Sequence, residues 1–352
     1  MRIVICWWNI SGYMAACWRA LAHSQGVVLK VIAFATDPSS SAPFDPRLLQ
    51  GVDHLLLDAR QRHDTAFIGD QVAAHRPDAV ILCGWAHAPY LRLLHDPRLR
   101  DARLSLGMDT PWSGSLRQRF GWLKLRPYAA RIHRVHVTGE RAFRLARQLK
   151  FPESKIRRGF YGYDDACFST AFETRRQSGP HPKRFLFTGS YDPRKGLDLI
   201  LEGYARYRGQ VADPWPLTCC GKGELTSAVD AAAGVENLGF VQPDDLPAVL
   251  AHHGAFVIAS RYDPWPLVVL ESSGTGLPVL CSEACGSAVE LVRSYYNGIT
   301  FPTGDAPAIT RALRWAHDHY DQLPEMGRRG RELALAYAAP VWAQRIEEMF
   351  KD

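Results

Sequence analysis

No run of roughly eighteen apolar residues occurs in this 352-residue chain, so the sequence offers no helix able to cross a bilayer. A charged-then-apolar leader is also missing, and the expected location is the cytoplasm. The eight cysteines, Cys6, Cys17, Cys83, Cys167, Cys219, Cys220, Cys281 and Cys285, contain no C-x-x-C pair and lie mostly in apolar stretches. They read as reduced core residues, which excludes a zinc ribbon or a disulfide scaffold. Neither G-x-G-x-x-G nor G-x-x-x-x-G-K-[ST] is found, which disfavours a nicotinamide enzyme and a P-loop ATPase. D-x-D, one way of holding a divalent cation against a diphosphate, is missing too. No internal repeat or low-complexity tract appears.

What is there is an α/β rhythm. Short apolar runs at Arg2 to Trp8, Val28 to Phe34, His54 to Leu57, Ala79 to Gly84, Arg103 to Met108 and Arg134 to Thr138 alternate with helical or polar spans. That alternation predicts parallel sheets with helices on both faces. The length suits two domains. A polar stretch with glycine and prolines, 172–183, reads as the linker between a first domain at 1–172 and a second at 184–339. In the second, Arg184 to Ser190, Pro216 to Gly221, Glu236 to Phe240, Ala255 to Ser260, Pro278 to Ser282 and Tyr296 to Phe301 continue the strand series.

Ligands of open α/β sheets gather at the carboxyl ends of strands. The first strand runs into Asn9-Ile10-Ser11-Gly12 and a helix, a phosphate-friendly corner. Arg103 to Met108 ends at Asp109, which either orients or deprotonates a substrate hydroxyl or caps the turn before Pro111. The richest stretch is Arg261 to Gly286. Pro264 and Pro266 forbid an early helix, and Leu267 to Ser273 then form one, so the N–H groups of Leu267 and Val268 lie unpaired at its start. Asp263 precedes that helix and Glu271 sits about one turn inside it, so both can face one cleft. The plain alternative is a capping aspartate and a solvated glutamate.

This stretch resembles the acidic-x7-acidic signature of the family-4 retaining glycosyltransferases of the GT-B fold (glycosyltransferase group 1). The resemblance implies two Rossmann-like, doubly wound parallel-sheet domains facing a cleft, with a C-terminal helix near 340–352 returning to the first. It implies that Asp263 contacts the donor sugar, Glu271 the nucleotide ribose, and the Leu267 and Val268 N–H groups the sugar and diphosphate. The segment from Gly189 to Gly196, G-S-Y-D-P-R-K-G, is similar to the family's G-R-L-x-x-x-K-G element. There Lys195 matches the lysine that neutralises the diphosphate, Ser190 stands where the family has arginine, and Arg194 is the neighbouring cation. Gly221 falls at the turn beside the base, Ser11 and Gly12 across from the diphosphate, and Asp109 where a family polar residue, often histidine, points at the reacting sugar. Two departures are an Asp in place of the first Glu and Pro266 in place of a glycine, which removes one N–H donor.

The resemblance implies a nucleotide-diphosphate sugar donor, a glycan or polyprenyl-diphosphate-linked acceptor, retention of configuration, and neither cofactor nor metal. Sugar-nucleotide epimerases, phosphorylases and non-catalytic nucleotide-sugar-binding proteins share the frame and remain alternatives. Finally, ten Lys or Arg residues and one acid, Glu140, fill Arg117 to Lys150. This is either a solvated basic face or, with Trp112, Phe120, Trp122 and Leu123 among the arginines, a surface for an anionic membrane or a diphosphate lipid. No nucleic-acid recognition module accompanies it.

Overall fold

The computed structural model describes residues 1–36 and 44–351. Among them, 1–36, 44–163 and 337–351 form one compact unit and 164–336 a second.

The first unit is built on seven strands: β1 (Arg2–Asn9), β2 (Val28–Phe34), β3 (His54–Leu57), β4 (Ala79–Cys83), β5 (Arg103–Met108), β6 (Ile132–Val137) and β7 (Ile156–Arg158). Their order is β3-β2-β1-β4-β5-β6-β7, and every pairing is parallel. The central strands are apolar along their whole length because helices cover both faces, and all of β4 is buried. Ile3 pairs with Leu29 on one side and Ala79 on the other, so the chain reverses its direction of travel across the sheet between β1 and β4. That reversal is where a doubly wound sheet leaves a crevice.

The second unit has six strands: β8 (Phe185–Thr188), β9 (Leu217–Cys220), β10 (Val235–Gly239), β11 (Ala255–Ile258), β12 (Val279–Ser282) and β13 (Gly298–Phe301). They are ordered β10-β9-β8-β11-β12-β13, again all parallel, with the reversal between β8 and β11. The edge strand β10 is exposed at alternate residues, unlike the buried centre.

The linker expected at 172–183 lies elsewhere. Asp165–Gln177 is a helix, N-capped by the Asp164 carboxylate, and it packs in the second unit against the helices Leu246–Ala251 and Leu267–Gly274. Its Arg175 is buried and donates to the carbonyls of Thr275, Gly276 and Leu250, so a stretch that is polar in sequence is held inside the unit. The change of unit falls at Tyr163, and the first domain ends there and not at 172. The helix Ala339–Lys351 belongs to the first unit, against the helix Gly12–Ala22; Trp342 Nε1 donates to the Phe160 carbonyl at 2.9 Å. All eight cysteines are free thiols. No helix of the described residues is long and apolar enough to cross a membrane.

Candidate active site

At the reversal point of the second sheet, the loop after β8 and the loop after β11 are tied together by charge. Asp192 caps the turn Pro193–Lys195 by accepting from the Lys195 N–H at 3.0 Å. Lys195 Nζ then donates to Asp263 Oδ2 at 2.5 Å, with only 16 % and 8 % of the two side chains exposed. Arg194, half-exposed, lies 4.0 Å from the same Asp263 oxygen and 3.7 Å from Asp192. Arg261 is held bidentately by Asp198 at 2.7 and 2.6 Å. The cations that the sequence leaves uncompensated at this turn are thus matched by three carboxylates of the protein itself. The charge of Arg261 is taken up by Asp198; Lys195 and Arg194 keep free N–H groups.

The approach of the two loops depends on glycine. Gly196 sits in the left-handed region at φ +70°, and a Cβ there would stand 1.9 Å from the Ala259 carbonyl oxygen. Gly221, at φ +157°, would drive a Cβ to 1.9 Å from the Gly189 carbonyl oxygen, whereas a Cβ on Gly189 would make only an ordinary contact with the Phe187 ring at 3.5 Å. Ser190 points its hydroxyl at Asp192 and so helps hold the turn.

The helix Leu267–Gly274 follows Pro266, which occupies the N-cap position and cannot cap by a side chain. The Leu267 and Val268 N–H groups head this helix, beyond reach of any intrahelical acceptor. At its other end, Arg175 holds the Thr275 and Gly276 carbonyls, and Arg331 donates to Gly274 at 2.5 Å while pairing with Asp165 at 3.1 Å. Two cations therefore sit at the negative end of the helix dipole. Glu271 lies between the two ends. It is half-buried, its carboxylate has no partner among the described residues, and loss of solvation pushes its pKa up to about 7.

In the first unit, a cavity of about 670 Å³ opens at the reversal between β1 and β4. Ser11 and Asp109 both line it, with Trp8, Trp85 and Tyr161. Ser11 precedes the helix Gly12–Ala22; its hydroxyl caps nothing, is buried, and has no hydrogen-bond partner. Asp109 accepts from the Tyr161 hydroxyl at 2.9 Å and from Thr110 at 3.3 Å. Burial and the Asp109 charge raise the Tyr161 pKa, so the phenol stays a donor.

Of the residues singled out in the sequence, Gly189, Ser190, Arg194, Lys195, Gly221, Asp263, Leu267, Val268 and Glu271 belong to the second unit, and Ser11, Gly12 and Asp109 to the first. Tyr161 was not foreseen. It lies 52 positions from Asp109, in a stretch with no motif. Trp112 and Trp122, expected in the basic surface, are half-buried; Leu116, not foreseen, is exposed instead.

Two parallel-sheet α/β units with phosphate-type corners at their reversal points define the GT-B class of fold. Residues 171–333, a little under half of the chain, match the family of glycosyl transferases group 1. D-rhamnosyltransferase WbpZ of Pseudomonas aeruginosa is 27% identical over 261 residues, 68% of this chain and 65% of the relative. O-antigen chain mannosyltransferase B of Escherichia coli is 30% identical over 133 residues, covering 36% and 34%. The matches thus span less than two thirds of either relative. Among solved structures, HepE of Anabaena in complex with UDP aligns with a TM-score of 0.75 at 15% identity, covering 100% of both chains.

Proposed function

We propose that the chain is a retaining, metal-independent glycosyltransferase. It moves a sugar from a nucleotide-diphosphate donor to a glycan or lipid-linked acceptor in cell-surface polysaccharide synthesis, at the cytoplasmic side of the membrane. The observation that carries this reading is the grouping of Lys195, Arg194 and Asp263 at the β8/β11 reversal of a glycosyl transferases group 1 domain. The names of the relatives, which act in rhamnosyl and O-antigen mannosyl transfer, support the substrate class.

The free N–H groups of Lys195 and Arg194 offset the diphosphate as it departs, together with the amides of Leu267 and Val268. Asp263, fixed by Lys195, accepts from donor-sugar hydroxyls. Glu271, as a carboxylate without a protein partner, accepts from the ribose. In the transfer step the bond from the anomeric carbon to the phosphate oxygen breaks, and the nucleoside diphosphate leaves with the electron pair. The acceptor oxygen bonds to the same face, and its proton passes to a departing phosphate oxygen. Asp109, held by Tyr161, orients the acceptor hydroxyl.

The test is donor hydrolysis across UDP-, GDP-, ADP- and TDP-sugars, with lipid extract as acceptor in parallel. One donor consumed by the native chain and spared by Lys195→Ala and Glu271→Ala supports the reading. Tight donor binding without turnover in either assay overturns it in favour of a binding protein.

A further inference from the structure

We propose that a ridge formed by Leu116, Phe120 and Leu123 docks the first unit on an anionic bilayer surface. The three side chains are 71 %, 58 % and 49 % exposed. The helices Leu116–Arg119 and Gly121–Leu125 follow one another, and the Phe120 N–H donates to Leu116 and the Leu123 N–H to Phe120, both at 3.0 Å. This helical path places the three residues on one side.

The ridge is rigidly mounted. Gln118, buried, accepts from the Ser113 N–H at 2.6 Å and donates to Pro111 at 2.8 Å. Leu125 is in the core, and a Cβ on buried Gly121 would meet Leu149 and Trp85 at 2.8 Å. Three large apolar side chains held outward on a fixed base mark an interaction surface.

Charge selects the occupant. No acidic residue occurs from 110 to 139. Arg117, Arg119, Lys124 and Arg126 flank the ridge exposed, and none forms an ion pair among the described residues. Arg119 and Lys124 donate to the neutral carbonyls of Gly114 and Trp85, and Lys124 also lies over the Trp85 ring at 5.8 Å. An apolar wedge in a basic frame fits a layer of anionic head groups over hydrocarbon. A second copy would bring like charges face to face, and nucleic acid offers no apolar layer to receive the wedge. Arg117 also lines the cavity that holds Asp109, so the docked ridge adjoins the cavity. The surface stands on exposure and charge alone; only its link to a lipid-borne acceptor rests on the transferase reading.

The experiment is co-sedimentation of the full chain with phosphatidylcholine vesicles, with and without about 30 mol% phosphatidylglycerol. The native chain is expected to bind the anionic vesicles about tenfold or more tightly than the neutral ones. The triple variant Leu116→Ser, Phe120→Ser, Leu123→Ser, and separately Arg119→Gln with Arg126→Gln, each lose about tenfold with unchanged thermal melts. Equal binding by the triple variant, indifference to phosphatidylglycerol, or concentration-dependent dimers that the triple variant abolishes would overturn the proposal. Donor hydrolysis measured on the same proteins without vesicles separates the two readings. Vesicle binding with no donor turnover, either alone or with lipid extract as acceptor, upholds the docking surface and defeats the transferase.

Discussion

Lys195 and Asp263, 68 positions apart in sequence, meet at 2.5 Å at the reversal of the second sheet, where both side chains are mostly shielded from water. Shielding makes each partner costly to leave alone. Lys195→Ala and Asp263→Asn are each expected to lower stability by about 2 kcal/mol, tempered by Arg194 near the same carboxylate. The double variant should lose less than the sum, with a coupling of about 1–2 kcal/mol in urea denaturation.

Glu271 gives a pH dependence of definite sign. Its folded pKa of about 7 exceeds the ordinary 4.5, so the native state holds a proton that the unfolded chain has released. Stability therefore falls as pH rises from about 4.5 to about 7 and is level above, by at most about 3 kcal/mol. Glu271→Gln should flatten that window and be the more stable protein at pH 8, while losing nucleotide affinity. Thermal melts from pH 4 to pH 8 check both curves.

Arg175 anchors the far end of the same helix. Burial presses its pKa down to about 10, yet it donates to three carbonyls. Arg175→Ala leaves those carbonyls buried and unsatisfied, and is expected to cost about 3 kcal/mol. Added nucleoside diphosphate should restore less stability to this variant than to the native chain, because the helix that carries Glu271 is no longer fixed.

Tyr161→Phe removes one hydrogen bond to Asp109 and little volume. If Asp109 serves the acceptor, sugar transfer should drop about tenfold to a hundredfold, while donor hydrolysis without acceptor is unchanged. Equal loss in both assays would place Tyr161 on the donor side.

Gly196→Ala meets both a left-handed backbone and the Ala259 carbonyl. The neighbouring Lys195 must move, so donor turnover should be lost, at a stability cost of about 1–3 kcal/mol by denaturant titration.

The frame was legible because buried parallel strands leave long apolar signatures: Ala79 to Gly84 and Ala255 to Ser260 read as strands with no help from tertiary structure, and β4 and β11 lie within them. β7 was missed, since Ile156–Arg158 has one apolar residue in three. The linker was misplaced because Arg175 looks like solvent-facing polarity in sequence, and only the bare carbonyls of a distant helix end explain its burial. The acid pair and the Lys195 turn were visible through motif spacing. Which carboxylate each cation meets was not, because Arg261–Asp198 and Lys195–Asp263 depend on how two loops cross. The exposed ridge at Leu116, Phe120 and Leu123 was only half visible, since composition marks aromatic residues without saying which of them face water.

The most direct test of the donor-site assignment is calorimetric titration of UDP, GDP, ADP and TDP into the native chain, Lys195→Ala and Glu271→Ala at pH 8. The account predicts that one diphosphate binds with unit stoichiometry, and that each variant weakens it about tenfold or more. If no diphosphate binds, or if both variants bind it as the native chain does, the donor site lies elsewhere.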